Sequence, residues 1–178
     1  ELLQQIFSPA GGGDMVLAEA GVDLPGFGGS RLVFVNGHYQ AELSALALPE
    51  GVSLVRFADA NPDQAQRIRS HLGTAAGADQ LLFTALNDAV LAEGVFLDIA
   101  PGVQIEQPLH VVWLTGNEDE AFAVNQRLLM VCGRSSKACL IEHFAGARGQ
   151  QKSFTNGVTE LLLEDGATLD HYRLHLEE

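Results

Sequence analysis

The sequence predicts a mainly β chain whose C-terminal half is a parallel β-helix, a single-stranded solenoid, preceded by a hairpin and two helices. Three observations lead there. After Gly94 the hydrophobic period changes from helical to strand-like and stays so. Three segments of that half share one pattern, Gly102-Val-Gln-Ile105, Lys137-Ala-Cys-Leu140 and Gly166-Ala-Thr-Leu169: a corner residue, a small apolar residue, a variable one, then Ile or Leu. Their uneven spacing lies in the range where repeat architectures place one structural unit per period. Asn36-Gly37 between β-forming residues adds a hairpin turn upstream.

Each part of the repeat has a physical reason. Glycine at a corner permits φ > 0, the small side chain after it fits an inner bend, and the Ile or Leu two positions on returns to the same face. Stacked coils would put Val103, Ala138 and Ala167 in one inner column and Ile105, Leu140 and Leu169 in another. Strands between glycine-rich turns also build sandwiches, and that arrangement stays open. The strict six-residue repeat of a left-handed β-helix is absent.

Upstream, residues 1–30 carry two glycine clusters, "GGG" and "GFGG", which no regular element tolerates, and read as a linker or docked tail. In "RLVFVNGHYQA" the turn should set Phe34 opposite Tyr39. A short strand in "VSLVRFA" leads to a helix over 61–72, with Asn61 as N-cap and Pro62 at the first helical position. A second helix at about 79–92 repeats Leu82, Phe83, Leu86, Ala89 and Val90 along one face, and Gly94 ends it. The chain thus divides into 1–30 (tail), 31–93 (hairpin and helical region) and 94–178 (the first coils of the β-helix core).

Composition excludes several functions. A net charge of −13, from 23 acidic and 10 basic residues, opposes nucleic acid and anionic membranes. No apolar run is long enough to span a bilayer, and residues 1–5 do not start a signal peptide. Two cysteines build no disulfide framework, so a cytoplasmic protein is expected. The chain starts at Glu1 without Met and stops inside "LDHYRLHLEE", which reads as a piece of a longer protein truncated at its C-terminus.

Candidate chemistry is sparse. Cys132 and Cys139 sit on neighbouring strands without C-x-x-C spacing, whereas a cluster wants about four thiolates; packed cysteines are expected. His38, His71, His110, His143, His171 and His175 read as polar strand or surface positions, and His171 and His175 lie too far apart on a strand to chelate one ion by themselves. Gln107, Glu142 and His171 share the inward parity and predict a buried hydrogen-bonded ladder. No phosphate loop, H-E-x-x-H or G-x-S-x-G motif occurs. Asp98, Glu106, Glu118, Asp119 and Glu120 could serve a glycosidase only at a defined spacing across a cleft. No catalytic, cofactor-binding or metal-binding residue is assigned.

The phrases "LVFVNGHY", "LPEGV", "FTALNDAV", "GVFLDIAPGVQIEQPLHV", "ACLIEHF" and "FTNGVTELLLEDGATLDHYRL" resemble, in this order, the first part of the SufB/SufD family of iron–sulfur cluster assembly proteins. The resemblance runs from about residue 31 to the end. It implies a right-handed parallel β-helix flanked by helical regions, in a scaffold complex of SufB, SufD and the ATPase SufC. A SufB-like chain would carry Glu-Gly-Cys where Glu142-His143-Phe144 stand, so the chain looks most like SufD. The implied role is a non-catalytic scaffold subunit with a SufB-like subunit and a SufC-like ATPase as partners. The iron–sulfur cluster belongs to the assembled complex, with none in this fragment. Competing readings are a β-helix carbohydrate-active enzyme, which 7% aromatic residues and one Trp disfavour, and a plain β-rich interaction module. The last strand, at about 169–176, would leave an edge through which a second copy can associate.

Overall fold

The computed structural model describes residues 8–9, 24–75, 82–91, 93–116, 120–147 and 152–176, which form two mixed, mostly parallel sheets and two helices. In chain order the elements are β1 (Ser8–Pro9), β2 (Arg31–Val35), β3 (His38–Tyr39), β4 (Val52–Arg56), α1 (Pro62–His71), α2 (Leu82–Ala89), β5 (Val95–Ile99), β6 (Leu109–Thr115), β7 (Phe122–Cys132), β8 (Lys137–Gly146), β9 (Ser153–Leu163) and β10 (Thr168–Leu176). In one sheet β7 pairs with β9 on one edge and with β5 and β1 on the other, and β4 lies beyond β5. The second sheet runs β10-β8-β6-β2-β3. From β5 to β10 the chain enters the two sheets alternately, always pairing in parallel. Only the flanking pairs β2–β3 and β4–β5 are antiparallel.

The hairpin forms as its turn residues require. Asn36 and Gly37 adopt φ of 52° and 85°, both positive as a two-residue hairpin turn demands, and Phe34 pairs with Tyr39. The expected strand in "VSLVRFA" is β4.

The three corners are real, but the middle one is displaced. Gly102 and Gly166 have φ of 76° and 72°, and the residue that turns the chain between β7 and β8 is Ser135, at φ 57°, rather than Lys137. Lys137 is the first residue of β8, bridging to Gln104 and pairing with Thr168. The middle segment therefore slides by two residues against the predicted alignment. Ala138 pairs with Leu169, and Ile105 donates its N–H to the carbonyl of Lys137, one residue before Ala138. Leu140 lies between Leu109 and His171 instead of between Ile105 and Leu169. A shift of two preserves parity, so Ile105, Ala138, Leu140 and Leu169 still reach the core.

Between the sheets, Val95, Leu97 and Ile99 of β5 and Leu128 and Met130 of β7 meet Leu32, Phe34, Val111, Trp113 and Phe144 from the other side. One rung crosses the second sheet as Tyr39, Phe34, Trp113, Phe144 and His175, in register. Its ring centroids lie 5.7 Å apart for Tyr39–Phe34, 4.6 Å for Phe34–Trp113 and 4.7 Å for Phe144–His175. Full burial of a large apolar side chain contributes roughly 1.5–3 kcal/mol, which applies to Phe34, Trp113 and Phe144 at the centre of the rung, while Tyr39 is only partly buried and His175 is exposed.

The helices cover the outer face of the first sheet. Asn61 Oδ1 accepts from Gln64 N–H at 2.9 Å, and Gln64 Oε1 accepts from Asn61 N–H at 3.1 Å, a complete capping box ahead of Pro62. Ile68 of α1 then buries against Phe96, Leu129 and Val131. Helix α2 reverses the expectation. Its buried residues are Thr84 and Asn87, whereas Leu82, Phe83 and Leu86, and Val90 just after it, are 76%, 54%, 39% and 45% exposed. It also ends at Ala89. Gly94 instead lets the ring of Phe57 approach, since a Cβ there would stand 2.5 Å from it.

The register yields a packing test. Ala138 is 2% exposed between the Ile105 and Leu169 positions, whereas Thr168 faces solvent. Ala138→Leu should cost about 1–3 kcal/mol by overpacking, and Thr168→Leu close to nothing. Urea melts of the two variants compare them directly, and equal midpoints would mean that the inner and outer faces have been misassigned.

Candidate functional site

Inward parity on β8 carries Glu142 into the core between Leu140 and Phe144, where it is 1% exposed. A carboxyl group there is costly unless donors surround it. Donors come from both sheets: Trp113 Nε1–H reaches Oε1 at 3.1 Å, and Thr159 Oγ1 of β9 bonds Oε1 and Oε2 at 2.9 and 3.1 Å. His171 Nε2 lies 2.8 Å from Oε2, and Arg173 Nε approaches it at 3.7 Å. Both oxygens are engaged, so Glu142 clasps the two sheets rather than standing free as a base. The predicted ladder is thus half present. Glu142 and His171 meet on a diagonal, because His171 pairs with Leu140, while Gln107 is exposed and does not join them.

A second buried network lies on the outer face of the first sheet. Arg127 and Glu160, both 0% exposed, pair across β7 and β9 at 2.5 Å. Arg127 also donates to Asp88 Oδ1 at 2.6 Å and Asn87 Oδ1 at 3.1 Å. Glu160 accepts from the N–H groups of Gly73 and Ala75 at 3.0 and 3.3 Å, tying down the chain after α1. Asn87 Nδ2 donates to the carbonyls of Gln126 and Asn156 at 3.0 and 2.8 Å, and Asn156 Nδ2 to that of Phe83 at 2.9 Å. This network docks α2 by its polar side and turns its apolar side outward. Sequence reasoning missed these residues. Their signal was a lone Arg in "NQRLLMVC" and a lone Glu in "TELLLED".

The remaining candidates separate. His110 and His143 stack at 5.6 Å on the outer face of the second sheet, both buried. His175 stacks on Phe144, His71 closes α1, and His38 sits in the hairpin. Among the described residues no three metal-ligating side chains cluster. Cys132 is buried in the core of the first sheet, its thiol pushed up to about 11 by burial and then by Asp98. Cys139 is on the second sheet, so the cysteines are not strand neighbours in one sheet, and it is only half-buried. Burial and then Asp170 raise its thiol. Asp98 is held by Arg67 through bonds of 2.5 and 2.8 Å, and burial opposes but does not overcome the rise that Asp98 gives the guanidinium. Glu106 and Glu120 are exposed, and Glu118 and Asp119 lie outside the described residues.

Two mostly parallel sheets clasped through their core by a buried carboxyl group define a β-rich framework. The chain belongs to the SufB/SufD family of iron–sulfur cluster assembly proteins. Residues 21–111 match the model of the SufBD protein N-terminal region, and residues 114–178 match that of the SUF system FeS cluster assembly, SufBD core domain. Similar curated proteins include an iron-sulfur cluster assembly SufBD family protein of Synechocystis sp., 26% identical over 81% of this chain and 33% of its own length. Another of that description, from Pyropia yezoensis, is 26% identical over 68% of this chain and 24% of its own. Protein ABCI7, chloroplastic, of Arabidopsis thaliana is 23% identical over 73% of this chain and 28% of its own. The chain spans a third or less of these relatives. Among the described residues no helix is long and apolar enough to cross a membrane.

Two outcomes test this site. Arg127→Ala should cost about 3–5 kcal/mol, because it leaves Glu160 buried without its cation, whereas Arg127→Met combined with Glu160→Leu should be far milder. Chemical denaturation of both variants measures the difference. With one thiol sealed in the core and the other on a different sheet, the chain should hold no stable cluster after anaerobic incubation with iron and sulfide. Visible absorbance that comigrates with monomer in gel filtration would contradict this.

Proposed function

We propose that the protein is a SufD-like scaffold subunit of an iron–sulfur cluster assembly complex, non-catalytic itself and cytoplasmic, pairing with a SufB-like subunit and a SufC-like ATPase. The observation that carries the reading is the family match joined to Glu142-His143-Phe144. Where a SufB-like chain would present a thiol, this one has a phenyl ring in the core beside a carboxyl group whose oxygens are all engaged. Such a region contributes shape and rigidity, and the cluster resides in the assembled complex. Alternate entry of β5 to β10 into two sheets supports reading residues 94–178 as the first coils of a right-handed parallel β-helix, after a tail (1–30) and a hairpin-and-helix region (31–93). Strand β10 ends its sheet, and its outer edge suits a following coil or a second copy.

Co-expression of the full-length protein with the SufB-like and SufC-like subunits of its own organism tests the assignment. A stable complex containing all three in gel filtration is expected, with cluster assembly lost on removing the thiols of the SufB-like subunit and unaffected by Cys132→Ala in this chain. Assembly of a working complex without this subunit, or loss of clusters in Cys132→Ala with the complex intact, would refute it.

A further inference from the structure

Residues 24–30 form a strap over the outer face of the second sheet. Leu24 packs against the cluster of Val33, Val35, Val112, Leu114 and Ala145. Phe27 sets its edge against the His110 ring at 4.9 Å. Gly29 runs so close to the segment before β6 that a Cβ would meet the Pro108 carbonyl oxygen at 2.0 Å. The strap has no titratable side chain.

At the strap lies a pair of histidines with unusual surroundings. His110 on β6 and His143 on β8 stack with planes 12° apart, and they are 2% and 0% exposed. Among the described residues, His110 Nε2 and both ring nitrogens of His143 have no hydrogen-bond partner. Among the described residues, the titratable groups acting on His110 are His143 and Arg31 of β2, whose Nε is also buried without a partner there. On β10 the residues opposite Ile141 and His143 are Tyr172 and Leu174, and Asp170 lies further along, opposite Cys139. Glu106, on the segment leading into β6, is exposed. A neutral imidazole pair tolerates such a place, but an imidazolium would be buried beside a second base and a guanidinium with no counter-charge among the described residues.

We propose that the stacked pair His110 and His143 is an acid-sensitive latch: the strap of residues 24–30 lies closed while both rings are neutral, and proton uptake by either ring opens it while the two sheets stay folded. The latch is local because the strap is held by the packing of Phe27 and Leu24 and, at Ser30, by bonds from the N–H groups of His110 and Ala47, whereas β6 and β8 remain paired along their whole shared length. Burial, then His143 and Arg31, lower His110 from its ordinary value to about 4, and burial lowers His143. A base whose proton affinity is depressed in the closed form favours closure above its ordinary pKa of about 6.5 and loses that preference progressively as pH falls toward 4. For His110 alone the open-to-closed ratio should rise about thirtyfold between pH 7.5 and pH 5.

Hydrogen exchange of the intact chain, read by mass spectrometry at pH 7.5 and pH 5 and corrected for intrinsic rates, tests the latch. Protection of the His110 and Ala47 amides, which donate to the carbonyl and hydroxyl oxygens of Ser30, should fall by about thirtyfold at pH 5 while β7 and β8 keep theirs, and the double variant His110→Phe, His143→Phe should keep its strap closed at both values. Should that variant fail to fold, His110→Gln with His143→Gln equally removes the titration. Unchanged protection of those two amides in the wild type, loss shared equally by β7 and β8, or the same loss in a folded double variant would each overturn the proposal.

Discussion

Covering both faces of a strand is the constraint on which the rest of this structure depends. Strands β6 and β7 are flanked by pairing partners and lie between the common core and an outer cover, so neither of their two alternating sets of side chains has free access to solvent. Polar residues in such strands are buried whichever way they point, and each must find a partner or remain neutral. Arg127 of β7, with Glu142 and Glu160 of the neighbouring strands β8 and β9, finds partners, and burial disfavours the charged form of His110 on β6 and His143 on β8.

These polar groups decide how the layers are joined. Apolar packing between sheets is strong but has little directional preference, whereas Glu142, bonded to Trp113 and His171 within its own sheet, reaches Thr159 of the other sheet only at one relative position of the two. The same logic operates outside, where Arg127 and Glu160 link β7, β9, α2 and the turn after α1. A buried ion pair adds little net stability compared with apolar residues of the same volume. Its effect here is geometric: it specifies which side of α2 faces the sheet.

For a subunit whose proposed task is to hold partners in place, such a framework is apt. Phe144 packs in the core between the sheets, and the His175 ring and the Arg173 guanidinium each lie 4.7 Å from its ring. Cys132 is sealed and resists ionisation.

The sequence by itself determined the features that rest on local chemistry. Asn36-Gly37 could form only a tight hairpin, Asn61-Pro62 with Gln64 started α1, and alternation along β5 to β10 fixed which residues face the core, even where the alignment was two residues out. The tertiary structure alone decided the middle corner, because Ser135 takes the left-handed conformation without the glycine that marks the other two. It alone decided the orientation of α2, since Leu82, Phe83, Leu86 and Val90 outline an apolar face whose outward turn is imposed by Arg127, Gln126 and Asn156, distant in the chain. It also separated Gln107 from Glu142 and His171, which share a parity but not a coil position. Periodicity reports the face on which a side chain lies; the neighbour it meets there depends on register and on residues far along the chain, which only folding brings together.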